Sequence, residues 1–248
     1  MKKIGIITLN GYKNYGNRLQ NYALQEAIKS LGYEVETIVV DNKSINNSTT
    51  NKNISKLLLT TPKKIARRVL MMRNQKKTDA RTKAFKEFTV KHIKETNYSI
   101  SGNESTATLE EFEYFITGSD QVWNPYYING SPLYFLSFAP KEKRVSYAAS
   151  FGIAKIPEEF QSIYKKYLAE MRYLAVREQQ GVEIIKELTG REANVVVDPT
   201  MLLTKNDWKS IAKKSDKKPT TPFLLTYFLG ELTRSTKDKI EKIAQERN

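Results

Sequence analysis

Gly118-Ser119-Asp120-Gln121-Val122-Trp123-Asn124-Pro125 crowds the hydrogen-bonding side chains of Ser119, Asp120, Gln121 and Asn124 around one large ring, Trp123. It follows the apolar run Tyr114-Phe115-Ile116-Thr117, which reads as a buried strand, and Gly118 permits a sharp turn at that strand's end. In open α/β sheets, ligands bind beyond the carboxyl ends of the strands. A polar, aromatic loop at that place suits a sugar- or phosphate-binding cleft. The same residues also describe a well-capped turn with Trp123 in the core, and residue types alone leave both readings open.

Other strand ends carry ligand-like groups. Asn14-Tyr15-Gly16-Asn17-Arg18 opens a helix, whose N-terminal N–H groups and dipole suit phosphate or carboxylate. It is neither a GxGxxG nor a Walker loop, and an ordinary cap by Asn14 or Asn17 explains it equally well. Ser150-Phe151-Gly152 follows Tyr147-Ala148-Ala149 as a strand-to-loop turn of small residues. Arg177-Glu178 follows Leu174-Ala175-Val176. Arg177 suits bidentate capture of a carboxylate or phosphate, or a salt bridge to Glu178 or another acid. Asp198-Pro199 closes the last strand of this series and reads as a capped turn.

The elements that position these groups alternate. Residues 3–9 form the short apolar run of a central parallel strand. A helix from about Gly16 to Leu31 shows an apolar stripe at Leu24, Ala27, Ile28 and Leu31, and Gly32 ends it. Val35–Val40 completes a βαβ unit. Residues 43–54 read as a linker, and 55–95 as a basic, amphipathic helical stretch. Strands are then expected at Glu113–Thr117, Leu133–Phe138, Arg144–Ala149, Tyr173–Val176 and Val195–Val197, with helices at Pro157–Met171 and Gln179–Leu188. The fold class is therefore α/β, a Rossmann-like parallel sheet covered on both faces. Residues 1–212 are expected to form this domain, with a basic helical insertion at about 51–95. Residues 213–248 read as a linker, a strand at Phe223–Phe228 and a helix at Leu232–Arg247. One strand and one helix cannot bury their apolar faces alone, which is the pattern of an incomplete second domain.

Composition narrows the chemistry. The 248 residues contain no cysteine and one histidine, His92, which excludes thiol nucleophiles, thiolate metal sites and a multi-histidine metal site within this chain. No run approaches the ~20 apolar residues that span a bilayer. The start, MKKIGIITLN, reads as a first strand rather than a signal peptide, so a cytoplasmic protein is expected. The net charge of +14 is concentrated: residues 51–95 hold fourteen Lys or Arg and three acids. A solvated helix face accounts for that stretch, and docking on an anionic membrane surface is the sharper reading. No zinc-finger, RNP or helix-turn-helix signature supports nucleic acid as a partner.

Several pieces together resemble the polysaccharide pyruvyl transferase family. They are Asn14-Tyr15-Gly16-Asn17 with Leu19-Gln20 and Tyr22-Ala23-Leu24-Gln25; the Gly118–Asn124 loop; Ser146-Tyr147-Ala148-Ala149-Ser150-Phe151-Gly152; Val176-Arg177-Glu178; and Val197-Asp198-Pro199-Thr200. Their order and spacing cover nearly all of residues 3–203. The resemblance implies a GT-B-like enzyme with two Rossmann-like domains facing a cleft. Such enzymes transfer the enolpyruvyl group of phosphoenolpyruvate to sugar hydroxyls, forming a pyruvate ketal on a cell-surface polysaccharide. No metal or redox cofactor is implied. The acceptor is expected to be a sugar or lipid-linked oligosaccharide, met at the inner membrane face.

The expected substrate-binding residues are Asn14, Tyr15, Gly16, Asn17, Arg18, Gly118, Ser119, Asp120, Trp123, Ser150, Gly152 and Arg177. The sequence departs from the family's pattern in one respect. The usual C-terminal Ser-Phe-His or Arg-Phe-His context is absent, and His92 lies in the basic stretch as a surface or helix-packing residue. Asp120 is then a candidate base, alongside a structural or hydroxyl-binding role, and the chain alone is expected not to transfer pyruvate. Two other functions fit the same residues: a glycosyltransferase using a nucleotide sugar, and a non-catalytic module docked on a membrane through residues 55–95.

Overall fold

A computed structural model describes residues 2–11, 14–41, 80–102, 109–215, 218–228 and 230–247. Strand β1 (Lys3–Ile7) leads through helix α1 (Tyr15–Ser30) to β2 (Glu34–Val40). Helix α2, residues 80–92, precedes β3 (Glu95–Ile100). Then follow β4 (Phe112–Thr117), the short α3 (Pro125–Ile128), β5 (Arg144–Ser146), α4 (Glu158–Ala169), β6 (Ala175–Val176), α5 (Gln179–Thr189) and β7 (Asn194–Val195). The sheet is parallel in the order β3-β2-β1-β4-β5. Single bridges Val145–Tyr173 and Ala149–Val176 continue it to the parallel pair β6-β7. This is a Rossmann-like sheet. The part of the basic stretch at 51–79 lies outside the described residues.

Alternating side chains bury both faces of the sheet. Ile4 and Ile6 pack with Leu24, Ile28 and Val35 beneath α1. Ile7, Ile38, Phe112 and Phe115 join the larger core on the opposite face. Helix α1 starts where the Asn14 side chain accepts the Gly16 N–H at 2.8 Å. Its buried face is more polar than the expected stripe. Leu31 is exposed, whereas Asn21 and Gln25 are fully buried. Gln25 donates to Thr37 Oγ1 and the Lys94 carbonyl, each at 2.8 Å, and accepts the Lys94 N–H at 3.0 Å. Thr37 donates to Asn21 at 2.8 Å. These bonds tie α1 to β2 and to the start of β3, a strand whose polar sequence concealed it.

Two expected strands are corrected. Leu133–Phe138 is instead a 3₁₀ turn at Pro132–Phe135, followed by Leu136 with φ 58°. Pro132 cannot donate to a ladder, and four consecutive side chains, Leu133 to Leu136, are all buried rather than alternating. The 3₁₀ turn fills the core: the Trp123 indole N–H and the Thr117 hydroxyl both donate to the Tyr134 carbonyl. Phe223–Phe228 forms no strand, and its side chains at 223–225 and 227–228 are exposed. A strand must satisfy its backbone on a neighbour, and no partner pairs with it among the described residues.

The chain divides into two compact units, Met1–Thr204 and Lys205–Asn248, where the sequence reading placed the division at 212 and 213. The second unit holds α6 (Lys205–Ile211) and α7 (Arg234–Glu246), the latter capped by Thr233. No helix among the described residues is long and apolar enough to cross a membrane.

Helix α4 ends on a cation. The Arg191 guanidinium donates to the carbonyls of Leu168, Ala169, Met171 and Arg172 at 2.5–3.3 Å, where the last turn leaves carbonyls unsatisfied. Arg191→Ala is expected to lower stability by about 2 kcal/mol in denaturant titrations, the scale of hydrogen bonds to a charged group.

Candidate functional site

The β4 strand ends in a turn that only glycine can make. Gly118 has φ 129°, and a Cβ there would stand 2.0 Å from the Tyr147 carbonyl oxygen. The Gly118–Ser119 peptide is cis. Asp120 follows in the left-handed region at φ 70°, and its carbonyl accepts the N–H groups of Val122 and Ser150 at 2.8 and 2.9 Å. The backbone is thus fastened inward while the Asp120 carboxylate faces outward.

Gln20 fastens the same turn to α1. Its amide accepts the Ser119 N–H at 2.9 Å and donates to Thr8 Oγ1 at 2.9 Å and the Asn17 carbonyl at 3.0 Å. Thr8 in turn donates to the Ser119 carbonyl at 3.2 Å. Three elements, the end of β1, the first turns of α1 and the β4 loop, meet in that buried knot.

Beyond it opens a cleft of about 300 Å³ lined by Asn14, Gly16, Gln20, Asp120, Arg177, Asp198 and Thr200. Arg177 donates through Nη1 to Asp198 at 2.9 Å and through Nε to Glu178 at 3.0 Å, and its Nη2 stands 3.7 Å from Asp120. Asp198 is saturated: Oδ1 accepts the backbone N–H and hydroxyl of Thr200, while Oδ2 faces Arg177 and, at 3.3 Å, Ser119 Oγ. Burial works to raise the Asp198 pKa, but Thr200 and Arg177 outweigh it and hold the carboxyl below its usual range. Burial likewise opposes the Arg177 charge, yet Glu178, Asp198 and Asp120 outweigh it and push its pKa up. No group of three acids, histidines or cysteines is poised to hold a metal ion among the described residues.

Of the expected binding residues, the structure gathers Asn14, Gly16, Asp120 and Arg177 in the cleft. Gly118 and Ser119 shape it from beneath, both buried. Ser150 is 1% exposed and accepts the Gly152 N–H at 3.2 Å; Gly152 leaves room for Gln121, whose Cδ would stand 2.4 Å from a Cβ. Three of the expected residues lie outside this cleft. Trp123 is fully buried, stacked on Phe135 at 5.7 Å, as in the core reading of its ring. Arg18 is 1% exposed and turned toward Glu95, the Leu9 carbonyl and Asn10. Asn17 is buried, with its amide on the Leu9 carbonyl. Tyr15 is exposed but leans on Phe85 at 4.8 Å, under the Arg81 guanidinium. His92 packs against Tyr22 and Phe88. Gln20, Asp198 and Thr200 were not singled out as binding residues. Asp198 and Thr200 carried a signal, a polar pair closing a strand, whereas Gln20 carried none beyond its place in the resemblance.

The parallel sheet with a polar, charged cleft at its carboxyl edge defines a Rossmann-like α/β protein, consistent with a GT-B-like unit. The chain belongs to the polysaccharide pyruvyl transferase family, whose model matches residues 14–243. No curated protein and no solved structure matches it.

The Asp198 geometry gives a pH signature. A carboxyl whose folded pKa is depressed stabilises the fold above its unfolded value, near 3.8, and loses that contribution as pH falls through the folded value. Asp198→Asn is expected to destabilise by about 1–3 kcal/mol at pH 7. The gap between wild type and variant should hold constant above about pH 5 and begin to narrow only as thermal melts are taken below pH 3.8 toward the lower folded value.

Proposed function

We propose that the first-unit cleft serves transfer of the enolpyruvyl group of phosphoenolpyruvate to hydroxyl groups of a surface-polysaccharide sugar, with the 248-residue chain by itself binding the donor without completing the transfer, since it has no Ser-Phe-His or Arg-Phe-His context. The observation that carries this reading is the Asp120 carboxylate. Among the described residues no hydrogen bond occupies it, and it faces a cleft that also contains the start of α1. The reaction joins two acceptor oxygens to C2 of the donor and breaks its C2–O bond to phosphate. Of the two hydroxyl protons, one ends on the methylene carbon, which becomes a methyl group, and one leaves with phosphate. Asp120 is suited to take the first hydroxyl proton. The donor's negative charge fits the α1 N-terminus, whose first turn carries no acid and whose Asn14 and Gly16 line the cleft.

Calorimetric titration tests the reading. Phosphoenolpyruvate is expected to bind the wild-type chain, and Asn14→Asp, which keeps a good cap but adds a negative charge, is expected to weaken it by about tenfold. Asp120→Asn should leave that affinity within about twofold, because the carboxylate serves the acceptor. Stabilisation by UDP-glucose, with none by phosphoenolpyruvate, would instead support a nucleotide-sugar glycosyltransferase.

The acceptor is a sugar, and its presentation on a lipid carrier at the inner membrane face fits the basic stretch. The described end of that stretch, α2, exposes Arg81, Lys83, Lys86 and Lys91 while burying Phe85 and Thr89. Reversing Lys83, Lys86 and Lys91 to Glu is expected to reduce sedimentation with phosphatidylglycerol vesicles several-fold at low salt, since each basic residue contributes ~1 kcal/mol near an anionic surface. Equal sedimentation of both proteins would remove the membrane contact.

A further inference from the structure

Tyr15 stands on the wall of a second pocket, which the transfer reaction does not use. That pocket, of about 170 Å³, lies between α1 and α2 and is lined by Tyr15 and Leu19 from the one and by Ala84, Phe85 and Phe88 from the other. An apolar cavity of about 150 Å³ accepts a benzene ring, so this one suits a short hydrocarbon segment. Two arginines also line it. Arg18 is 1% exposed and turned toward Glu95. Arg81 is exposed, and its guanidinium lies 4.9 Å over the Tyr15 ring and 5.5 Å over that of Phe85. An entering ligand therefore meets Arg81 at the rim. Near it α2 exposes Lys83 and Lys86 against one acid, Glu87.

Pocket and cleft share the first turns of α1. Gly16 and Gln20 line the cleft, whereas Tyr15 and Leu19 line the pocket. Each pair is spaced i,i+4, so each marks its own face of the helix.

We propose that this pocket binds a lipid phosphate whose hydrocarbon chain is esterified directly to the phosphate, the chain entering between Tyr15, Leu19, Phe85 and Phe88 and the phosphate meeting Arg81. The proposal rests on the transferase reading above and deepens it, by giving a place to the carrier that brings the acceptor sugar. Two observations favour such a carrier over a membrane phospholipid. The Arg81 guanidinium lies directly on the apolar walls, so cation and cavity are contiguous. In a phospholipid, glycerol and ester groups separate the phosphate from the acyl chain. Second, Tyr15 and Gly16 are consecutive, so a sugar on that phosphate starts beside the cleft, an adjacency that a mere anchor does not need.

The test uses the full chain, with farnesyl phosphate below its micellar concentration as the probe in calorimetric titrations. Ala84→Leu fills the pocket from an exposed helix position with another strong helix former, and thermal melts check the fold. If that variant melts earlier than wild type, Ala84→Met replaces it. Farnesyl phosphate is expected to bind wild type and to bind Ala84→Leu about tenfold more weakly. Its advantage over farnesol is expected to shrink in Arg81→Gln. No binding by wild type, or equal affinity for wild type and Ala84→Leu, would overturn the proposal. So would phosphatidylglycerol vesicles that sediment less with Ala84→Leu while farnesyl phosphate fails to bind, a result that assigns the pocket to a phospholipid chain. Displacement of farnesyl phosphate by uridine monophosphate would overturn it in favour of a nucleotide base. Phosphoenolpyruvate affinity should stay within about twofold in Ala84→Leu. If wild type does not bind phosphoenolpyruvate, the transferase reading falls, while the farnesyl phosphate titrations still decide what the pocket holds.

Discussion

The whole cleft depends on one close approach, the backbone of Gly118 passing against the carbonyl of Tyr147. Two adjacent parallel strands, β4 and β5, can deliver their loops into the same space only because no side chain stands between them. That contact sets where Asp120 emerges, and the bonds from Val122 and Ser150 to its carbonyl then remove its remaining freedom. The Asp120 backbone is therefore held by the main chain, while its carboxylate stands 3.7 Å from the Arg177 guanidinium. This is the usual division of labour in α/β proteins: a rigid sheet sets the loops, and the loops carry the groups that act.

Around that turn, polar side chains rather than apolar ones define position. Gln20 suits its place because an amide both donates and accepts, and its neighbours require both: a backbone N–H from Ser119 and acceptors on Thr8 and Asn17. Glutamate would lose the donors and leucine would lose everything. The cost of burying such a group is met only when its bonds are satisfied, so the knot is specific as well as stable. The charged group at Arg177 follows the same logic in a wetter setting, with each acid arriving from a different strand end.

Much of this architecture was readable from residues 1–41 and 112–200. A continuous apolar strand, an asparagine cap and a glycine stop are local signals, and β1, α1, β2, β4, α4 and α5 all carry them. The failures are equally local in origin. A run such as Leu133–Phe138 has the composition of a buried strand, and periodicity cannot separate that from a turn buried on all sides. Pro132 was the signal that separates them. Strand β3 buries only Thr96, Ile100 and part of its flanks, so its pattern stayed below notice. In the site, Asp120 and Arg177 were visible as charged residues at strand ends. Gln20 was not, because its meaning comes from Ser119, 99 residues later in the chain. Trp123 misled for the opposite reason: a large ring beside polar residues suggests a ligand platform, while the core on the other side of the loop claimed it.

The polar underside of α1 has a mechanical consequence. Helices that rest on aliphatic side chains can shift by fractions of an ångström with little change in energy, because dispersion contacts vary smoothly. A helix keyed by Gln25 and Asn21 to Thr37 and Lys94 has discrete seating positions, since a shift along the axis breaks several directional bonds before any can reform. The middle of α1 is thereby indexed like a pin in a socket, and its N-terminal turn, less than about three helical turns away, inherits that precision. Motion in the cleft must then come from the loops, with α1 as the fixed datum against which they move.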